Sequence, residues 1–267
     1  MWQHAIVAWR SGIRSRSFQA LFVLGALVLF GAYLASLFSG RQPATVALDV
    51  GISGVRFVAL LMVVFWCQEL VAREVERRTV FLALAYPVPR AYYLLGRYFG
   101  VIALAALAVF LLGLMLTGSV YLAGREYLQA SPIDLGWGLW LTLLFILIDV
   151  AVVGAVTMLV ATFSSTPLLP LALGAGFAVA ARSLGTTIAF LKDKDSGATE
   201  WSTTLGPVVD ALQWLVPDLG RLDIRGMALY SQTPSIEALV WPAAMCVAYI
   251  VVTMTIAILL FRRRQFT

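Results

Sequence analysis

The sequence is poor in charge and nearly devoid of histidine and cysteine. Of its 267 residues, 12% are charged and 61% are hydrophobic, and the mean hydropathy is +0.90. Soluble domains carry about 25% charged and about 45–50% apolar residues, so a soluble fold would leave much of this apolar surface in water. The composition therefore indicates an integral membrane protein.

The missing residue types and motifs exclude several chemistries. His4 is the only histidine, so metalloprotease and histidine–haem sites lack ligands. Cys67 and Cys246 both lie within apolar runs, which implies no disulfide framework. The sequence contains no Gly-x-x-x-x-Gly-Lys-Ser/Thr phosphate loop and no Gly-x-Ser-x-Gly elbow. We therefore expect a chain that is not itself catalytic and binds no metal or cofactor.

Long apolar runs predict an all-α membrane protein in which residues 1–267 form one transmembrane domain. Arg56 lies near the start of the second of six predicted spans and is expected to snorkel toward the membrane surface. The predicted spans are Phe18–Phe38, Gly51–Val71, one within Tyr98–Gly124, Trp137–Phe163, one from the turn at 164–167 to about Leu191, and Ala238–Phe261.

The distribution of arginine predicts that both termini are cytoplasmic. In that orientation the short outer loops hold only Arg41 and Arg125. The inner segments hold Arg10, Arg14, Arg16, Arg73, Arg77, Arg78, Arg90, Arg97, Arg262, Arg263 and Arg264. The net charge of +5 therefore follows from topology, and nucleic acid is not an expected partner.

The N-terminal residues 1–17 are predicted to form an amphipathic elbow helix on the inner membrane surface. At 100° per residue, five apolar side chains fall within an arc of about 100°. They are Trp2, Ala5, Ile6, Trp9 and Ile13. The alternative is an ordinary N-terminus with positive charges before the first span.

The longest inner segment, residues 72–97, combines a charge cluster with helix-breaking prolines. The cluster comprises Arg73, Glu74, Glu76, Arg77 and Arg78. An apolar stretch follows at 80–85, and Pro87 and Pro89 then interrupt any helix. The pattern fits a docking surface for a soluble partner and fits equally a solvated loop that obeys the positive-inside rule.

This segment resembles the signature of permeases of ATP-binding-cassette exporters of the second class, the ABC-2-type permease family. The matching residues are Glu74-x-Glu76-Arg77-Arg78-Thr79, Leu82-Ala83-Leu84, Pro87-x-x-Arg90 and Leu95-Gly96-Arg97. The family pattern has glycine where Arg78 stands and lysine where Arg97 stands. The six spans, the elbow helix and the tail Phe261-Arg262-Arg263-Arg264 are similar to the family as well.

The resemblance implies that this segment is a coupling helix seated in a cleft of a separate ATPase subunit. It assigns that contact to Glu74, Glu76, Arg77, Arg78 and Thr79, with Pro87 and Arg90 shaping the return of the chain. It further implies two ATPase copies, which bind the ATP and Mg²⁺, and a second permease copy, identical or closely related. The expected location is a bacterial-type cytoplasmic (inner) membrane.

Two charged residues lie deep in the predicted spans. Asp149 and Arg182 stand 16 or 17 residues on either side of the turn at 165–166, so they should lie at about the same depth, roughly 20–25 Å along each helix. We expect them to form a direct or water-bridged ion pair, with either a structural role or a role in substrate passage or gating.

The outer segment 192–237 is expected to carry a short amphipathic helix on the membrane surface. Its apolar positions are Val208, Val209, Leu212, Leu215 and Val216. The segment either gates export or contacts an envelope partner. The run Asp223-Ile224-Arg225 has the character of an ordinary surface turn and is assigned no site.

Three classes of function follow from the sequence. The first is the membrane subunit of an ATP-driven transporter, which couples hydrolysis by a partner to movement of a substrate. The second is a secondary transporter or a non-transporting assembly scaffold. The secondary transporter is disfavoured because Asp149 is the only carboxylate deep in the spans and no broken helix or inverted repeat is evident. The third, an intramembrane enzyme, lacks paired intramembrane aspartates.

Overall fold

The computed structural model describes residues 6, 9–10, 12–72, 90–125, 133–164, 166, 168–192 and 216–263. Within these ranges the chain is helical or turns, without a strand. In this described part of the chain six helices are long and apolar enough to cross a membrane, in agreement with the predicted number of spans. They are α1 (Arg16–Leu37), α2 (Pro43–Cys67), α3 (Arg90–Gly124), α4 (Trp137–Phe163), α5 (Leu168–Lys192) and α6 (Ile236–Arg263).

Local chemistry sets where the first two helices begin. The Ser15 hydroxyl accepts a hydrogen bond from the backbone N–H of Phe18 at 3.1 Å and caps α1. Helix α2 begins at Pro43, eight residues before the predicted start at Gly51. Proline suits the first helical turn because its missing N–H would have no partner there. Because α2 begins this early, the polar residue Asp49 lies within the helix.

Helices α2 and α4 form the centre of the bundle. They are the most buried of the six, pack against each other and are flanked by α1, α3, α5 and α6. The outer faces of α1 and α6 carry large exposed apolar side chains, such as Val23, Phe30, Val251 and Leu259. Extended apolar faces of this kind match the hydrocarbon interior of a bilayer, so the chain is a multi-pass membrane protein.

The predicted elbow helix lies only partly within the described residues. Residues 9–10 and 12–13 are helical. Trp9 and Ile13, two members of the predicted apolar arc, pack against the core of the bundle, whereas Ile6 is exposed. The orientation of this segment toward a membrane surface stays a prediction.

The described part of the connection between α5 and α6 enters the bundle. It contains a 3₁₀ turn at Leu219–Leu222 and a one-turn helix at Gly226–Tyr230, and Leu219, Leu222, Ala228 and Leu229 are buried. Its backbone is bonded internally and to the chain before α4, where the N–H of Asp134 donates to the carbonyl of Ala228 at 2.9 Å. Such pairing permits non-helical backbone at this position, because the polar backbone groups have partners within the protein.

Candidate functional site

The structure brings Asp149 and Arg182 together. Asp149 lies in the middle of α4 and is 1% exposed. The Nη2 atom of Arg182, on α5, donates a hydrogen bond to its Oδ2 atom. The side chain of Arg182 is 34% exposed, so Arg182 contacts Asp149 from the outer side of the bundle core.

Arg56 belongs to the same cluster, and the expectation that it snorkels to the membrane surface was wrong. It lies 13 residues into α2 and is 4% exposed. Its Nε atom is 3.8 Å from Oδ2 of Asp149. Its two terminal nitrogens donate to Asp223 at 2.8 and 3.2 Å. Arg56 points inward because two carboxylates within the bundle stabilise its charge.

Asp223 and Arg225 were also assigned wrongly, because this part of the chain is no ordinary surface turn. Arg225 donates to both carboxylate oxygens of Asp223 over distances of 2.6–3.0 Å. It also donates to Oδ1 of Asp49 at 2.9 Å and to the hydroxyl of Ser53 at 3.2 Å, both on α2. The turn between α5 and α6 is therefore tied to α2 by charge.

These side chains form one charge network in which the signs alternate. Its members, in order of contact, are Asp49, Arg225, Asp223, Arg56, Asp149 and Arg182. The three carboxylates balance the three guanidinium groups, so the network has no formal net charge. Ions in a bundle of this apolarity are stabilised only when each has a partner of opposite sign, and the alternation provides one for every member.

The two network members outside the spanning helices have shifted pKa values. Burial opposes ionisation of Asp223, but hydrogen bonds from Arg225 and Arg56 outweigh it and hold the pKa of this carboxyl well below its usual range. Hydrogen bonds to Asp223 and Asp49 raise the pKa of the Arg225 guanidinium above its usual value. Both residues are therefore charged at neutral pH.

Close packing on α5 lets the turn approach the network. A Cβ atom at Gly185 would lie 2.9 Å from Cγ of Asp218, and one at Gly220 would lie 3.4 Å from the carbonyl oxygen of Arg182. Gly220 therefore lies about 15 Å along α5 from its end at Lys192. The Asp218 carboxylate accepts from the N–H of Gly220 and caps the 3₁₀ turn that leads to Asp223.

The predicted coupling residues fall mostly outside the described part of the chain. Glu74, Glu76, Arg77, Arg78, Thr79 and Pro87 lie in the range 73–89, and of Arg90 the structure describes only that its backbone begins α3. On the other side, α2 continues through a π-helical turn at Gln68–Ala72. The described helices α2 and α3 therefore bracket this segment directly.

The predicted surface helix in the outer segment also falls mostly outside the described residues. Of its five apolar positions the structure describes only Val216, which packs against a buried apolar cluster to which several helices of the bundle contribute. The sequence did contain a signal for the missed members of the network. Asp49 and Arg56 are spaced i and i+7 on one face of α2, and Asp223 and Arg225 supply the opposite signs in a segment otherwise rich in turns.

No family model matches the chain, and no curated protein matches it. Among the described residues, no group of three or more histidine, cysteine or acidic side chains could hold a metal ion. The charge network and the sequence pattern of residues 74–97 are therefore the two features of the chain that bear on its function.

Proposed function

We propose that the chain is the membrane-spanning subunit of an ATP-driven ABC transporter of the ABC-2 type. The observation that carries this proposal is the Glu74–Arg97 pattern, placed between two adjacent helices of a six-span bundle. The chain has no phosphate loop of its own, so a separate ATPase must supply the energy. Both termini and the coupling segment would then face the cytoplasm.

The position of α2 supports a mechanical role. From Glu69, at the end next to the coupling segment, to Arg56, in the charge network, the chain runs 13 helical residues, or about 20 Å. Helix α2 is among the most buried of the six and contacts α1, α3, α4 and α5. A displacement at its end would therefore act on the network and, through Arg56, on the turn that holds Asp223.

The exposed face of α5 supports assembly with a second permease copy. Besides large apolar residues such as Leu168 and Val179, it carries small and hydroxyl-bearing residues next to the partly exposed Arg182. They include Ala172, Gly176, Ala180, Ser183, Thr186 and Thr187. Small residues permit close approach of helices in membranes, and a Cβ atom at Gly176 would meet no atom of the described chain within 4 Å.

The first experiment is recovery of the tagged chain from its own membranes in mild detergent, followed by intact-complex mass spectrometry. We expect an ATPase in equimolar amount and two copies of the chain. Glu76→Lys should remove the ATPase and leave the dimer intact. Glu237→Lys reverses an exposed carboxylate at the start of α6, at the opposite end of the bundle, and should leave the ATPase bound.

Two results would contradict the proposal. Recovery of the chain without an ATPase, under conditions that preserve other such complexes, would favour a secondary transporter or an assembly scaffold. The buried carboxylate of Asp149 is the observation that favours a secondary transporter. Equal loss of the ATPase in both charge-reversal variants would show that the 72–97 segment has no special role.

A further inference from the structure

A cavity of about 480 Å³ lies between α5, α6 and the 3₁₀ turn that precedes the charge network. Small-molecule sites commonly measure about 300–1,000 Å³. Its apolar wall is formed by Leu184 and Ile188 of α5 and by Trp241 and Met245 of α6. None of these four residues belongs to the charge network, so the cavity is a separate feature of the bundle.

The polar part of the cavity is an ion pair whose more exposed member is an arginine. Asp218 and Arg221 line it, and the Nε atom of Arg221 is 3.4 Å from Oδ2 of Asp218. Asp218 is 19% exposed at its side chain, accepts from the N–H of Gly220 and lies against Gly185. The Arg221 side chain is 65% exposed. Asp218 therefore braces Arg221, and the charge accessible to a ligand is that of the guanidinium group.

The cavity lies near the end of the bundle at which α5 leads to α6. Trp241 is five residues from the start of α6, and Gly185 is seven residues from the end of α5, or about 7–10 Å along either helix. Tryptophan is enriched where the headgroups of a bilayer meet its hydrocarbon. An occupant that has both a polar group and an apolar body fits this lining.

We propose that this cavity binds a membrane phospholipid. Its phosphate accepts hydrogen bonds from Arg221, and one acyl chain lies against Leu184, Ile188 and Met245. Arginine suits this role because its fork of N–H donors matches phosphate oxygens. The 3₁₀ turn carries Arg221 at one end and leads directly to Asp223, so the bound lipid holds the turn against α5 and α6. This proposal is independent of the proposed transport function.

The test is lipid binding to the purified full-length chain in detergent, measured by native mass spectrometry. The probes are phosphatidylglycerol and diacylglycerol with identical acyl chains, which differ in the phosphate headgroup. We expect one saturable site for phosphatidylglycerol and weaker binding of diacylglycerol. Arg221→Gln should lower affinity for phosphatidylglycerol about tenfold or more. Arg221→Lys keeps the charge but loses the fork of donors, so it should lower the affinity by a smaller factor.

Two matched variants separate this site from general lipid adhesion. Arg41→Gln removes an exposed arginine that does not line the cavity and should change nothing. Ile188→Trp fills the apolar part and should weaken both lipids.

Equal affinity for the two lipids would overturn the proposal, because the phosphate would then contribute nothing. Equal losses in Arg221→Gln and Arg41→Gln would overturn it as well, since the lipid would be bound by surface charge in general. Full displacement of phosphatidylglycerol by inorganic phosphate would identify a site for a soluble anion instead.

Discussion

Replacing Arg56 with glutamine is expected to destabilise the protein strongly. Arg56 is 4% exposed and donates two hydrogen bonds to Asp223. It also lies 3.8 Å from Asp149. Glutamine keeps the three side-chain carbons nearest the backbone but removes the charged guanidinium group that both carboxylates face.

The magnitude follows from what the carboxylates retain. Removal of one partner of a buried ion pair commonly costs about 3–5 kcal/mol. Asp149 still has Arg182, and Asp223 still has Arg225, so the cost should fall near the lower limit, about 3 kcal/mol. For a chain of this size that corresponds to a fall in Tm of about 6–12 °C.

Thermal unfolding in detergent, followed by reaction of Cys67 and Cys246 with a fluorogenic maleimide, measures the effect. Both thiols are free and buried, so they react only when the bundle opens. Arg41→Gln, at an exposed arginine, is the control and should change the free energy of unfolding by less than about 0.5 kcal/mol. Asp223→Asn and the double variant Arg56→Gln/Asp223→Asn complete a thermodynamic cycle.

The cycle should give a coupling energy of at least about 1 kcal/mol between Arg56 and Asp223, because the double variant loses both charges together. Additivity of the two single changes within about 0.5 kcal/mol would refute the reasoning. A change in Arg56→Gln no larger than that in Arg41→Gln would also refute it, since Arg56 would then not be held within the bundle.

Three smaller effects test the same geometry. Asp49→Asn should cost less than about 1 kcal/mol in unfolding free energy, because the Asp49 side chain is 49% exposed; a loss as large as that of Arg56→Gln would contradict this. The depressed pKa of Asp223 adds stability that is fully present above the ordinary pKa near 4 and is lost as the pH falls below it. The difference in unfolding free energy between the wild type and Asp223→Asn should therefore be constant from pH 5 to 8 and shrink below about pH 4, whereas a difference that grows on acidification would oppose the assignment. Gly174→Ala should destabilise the α4–α5 contact, since its Cβ would lie 3.2 Å from Cβ of Thr157. Gly118→Ala, whose Cβ would have no atom within 4 Å, should stabilise the protein by about 0.5–1 kcal/mol through helix propensity. Melting curves of the two variants and the wild type test the sign of each change.

Sequence reasoning predicted the six spans because apolar run length alone determines them. It predicted the depth of Asp149 and Arg182 because a tight turn fixes the relative level of two adjacent helices. It missed Arg56 and Asp223 because their contact joins residues 167 positions apart. The contact depends on the turn after α5 re-entering the bundle, and no local pattern shows that.

The start of α2 was also misplaced because a long-range contact is not visible in the local sequence. Hydropathy placed the start at Gly51 because Gln42, Pro43, Thr45 and Asp49 lower the local average. Proline nevertheless serves the first turn, and Asp49 is stabilised by Arg225. A polar residue in a membrane helix therefore marks the end of a span only when no partner in the fold stabilises it.

The charge network joins three spanning helices and the turn, so a shift of α2 relative to the turn must alter at least one of its ion pairs. Separation is least costly where both partners can be rehydrated. Arg56 and Asp149 are nearly inaccessible, whereas Arg225 and Asp49 are 33% and 49% exposed at their side chains. Movement of α2 during the proposed transport cycle should therefore open the Asp49–Arg225 pair first and keep Arg56 on its carboxylates.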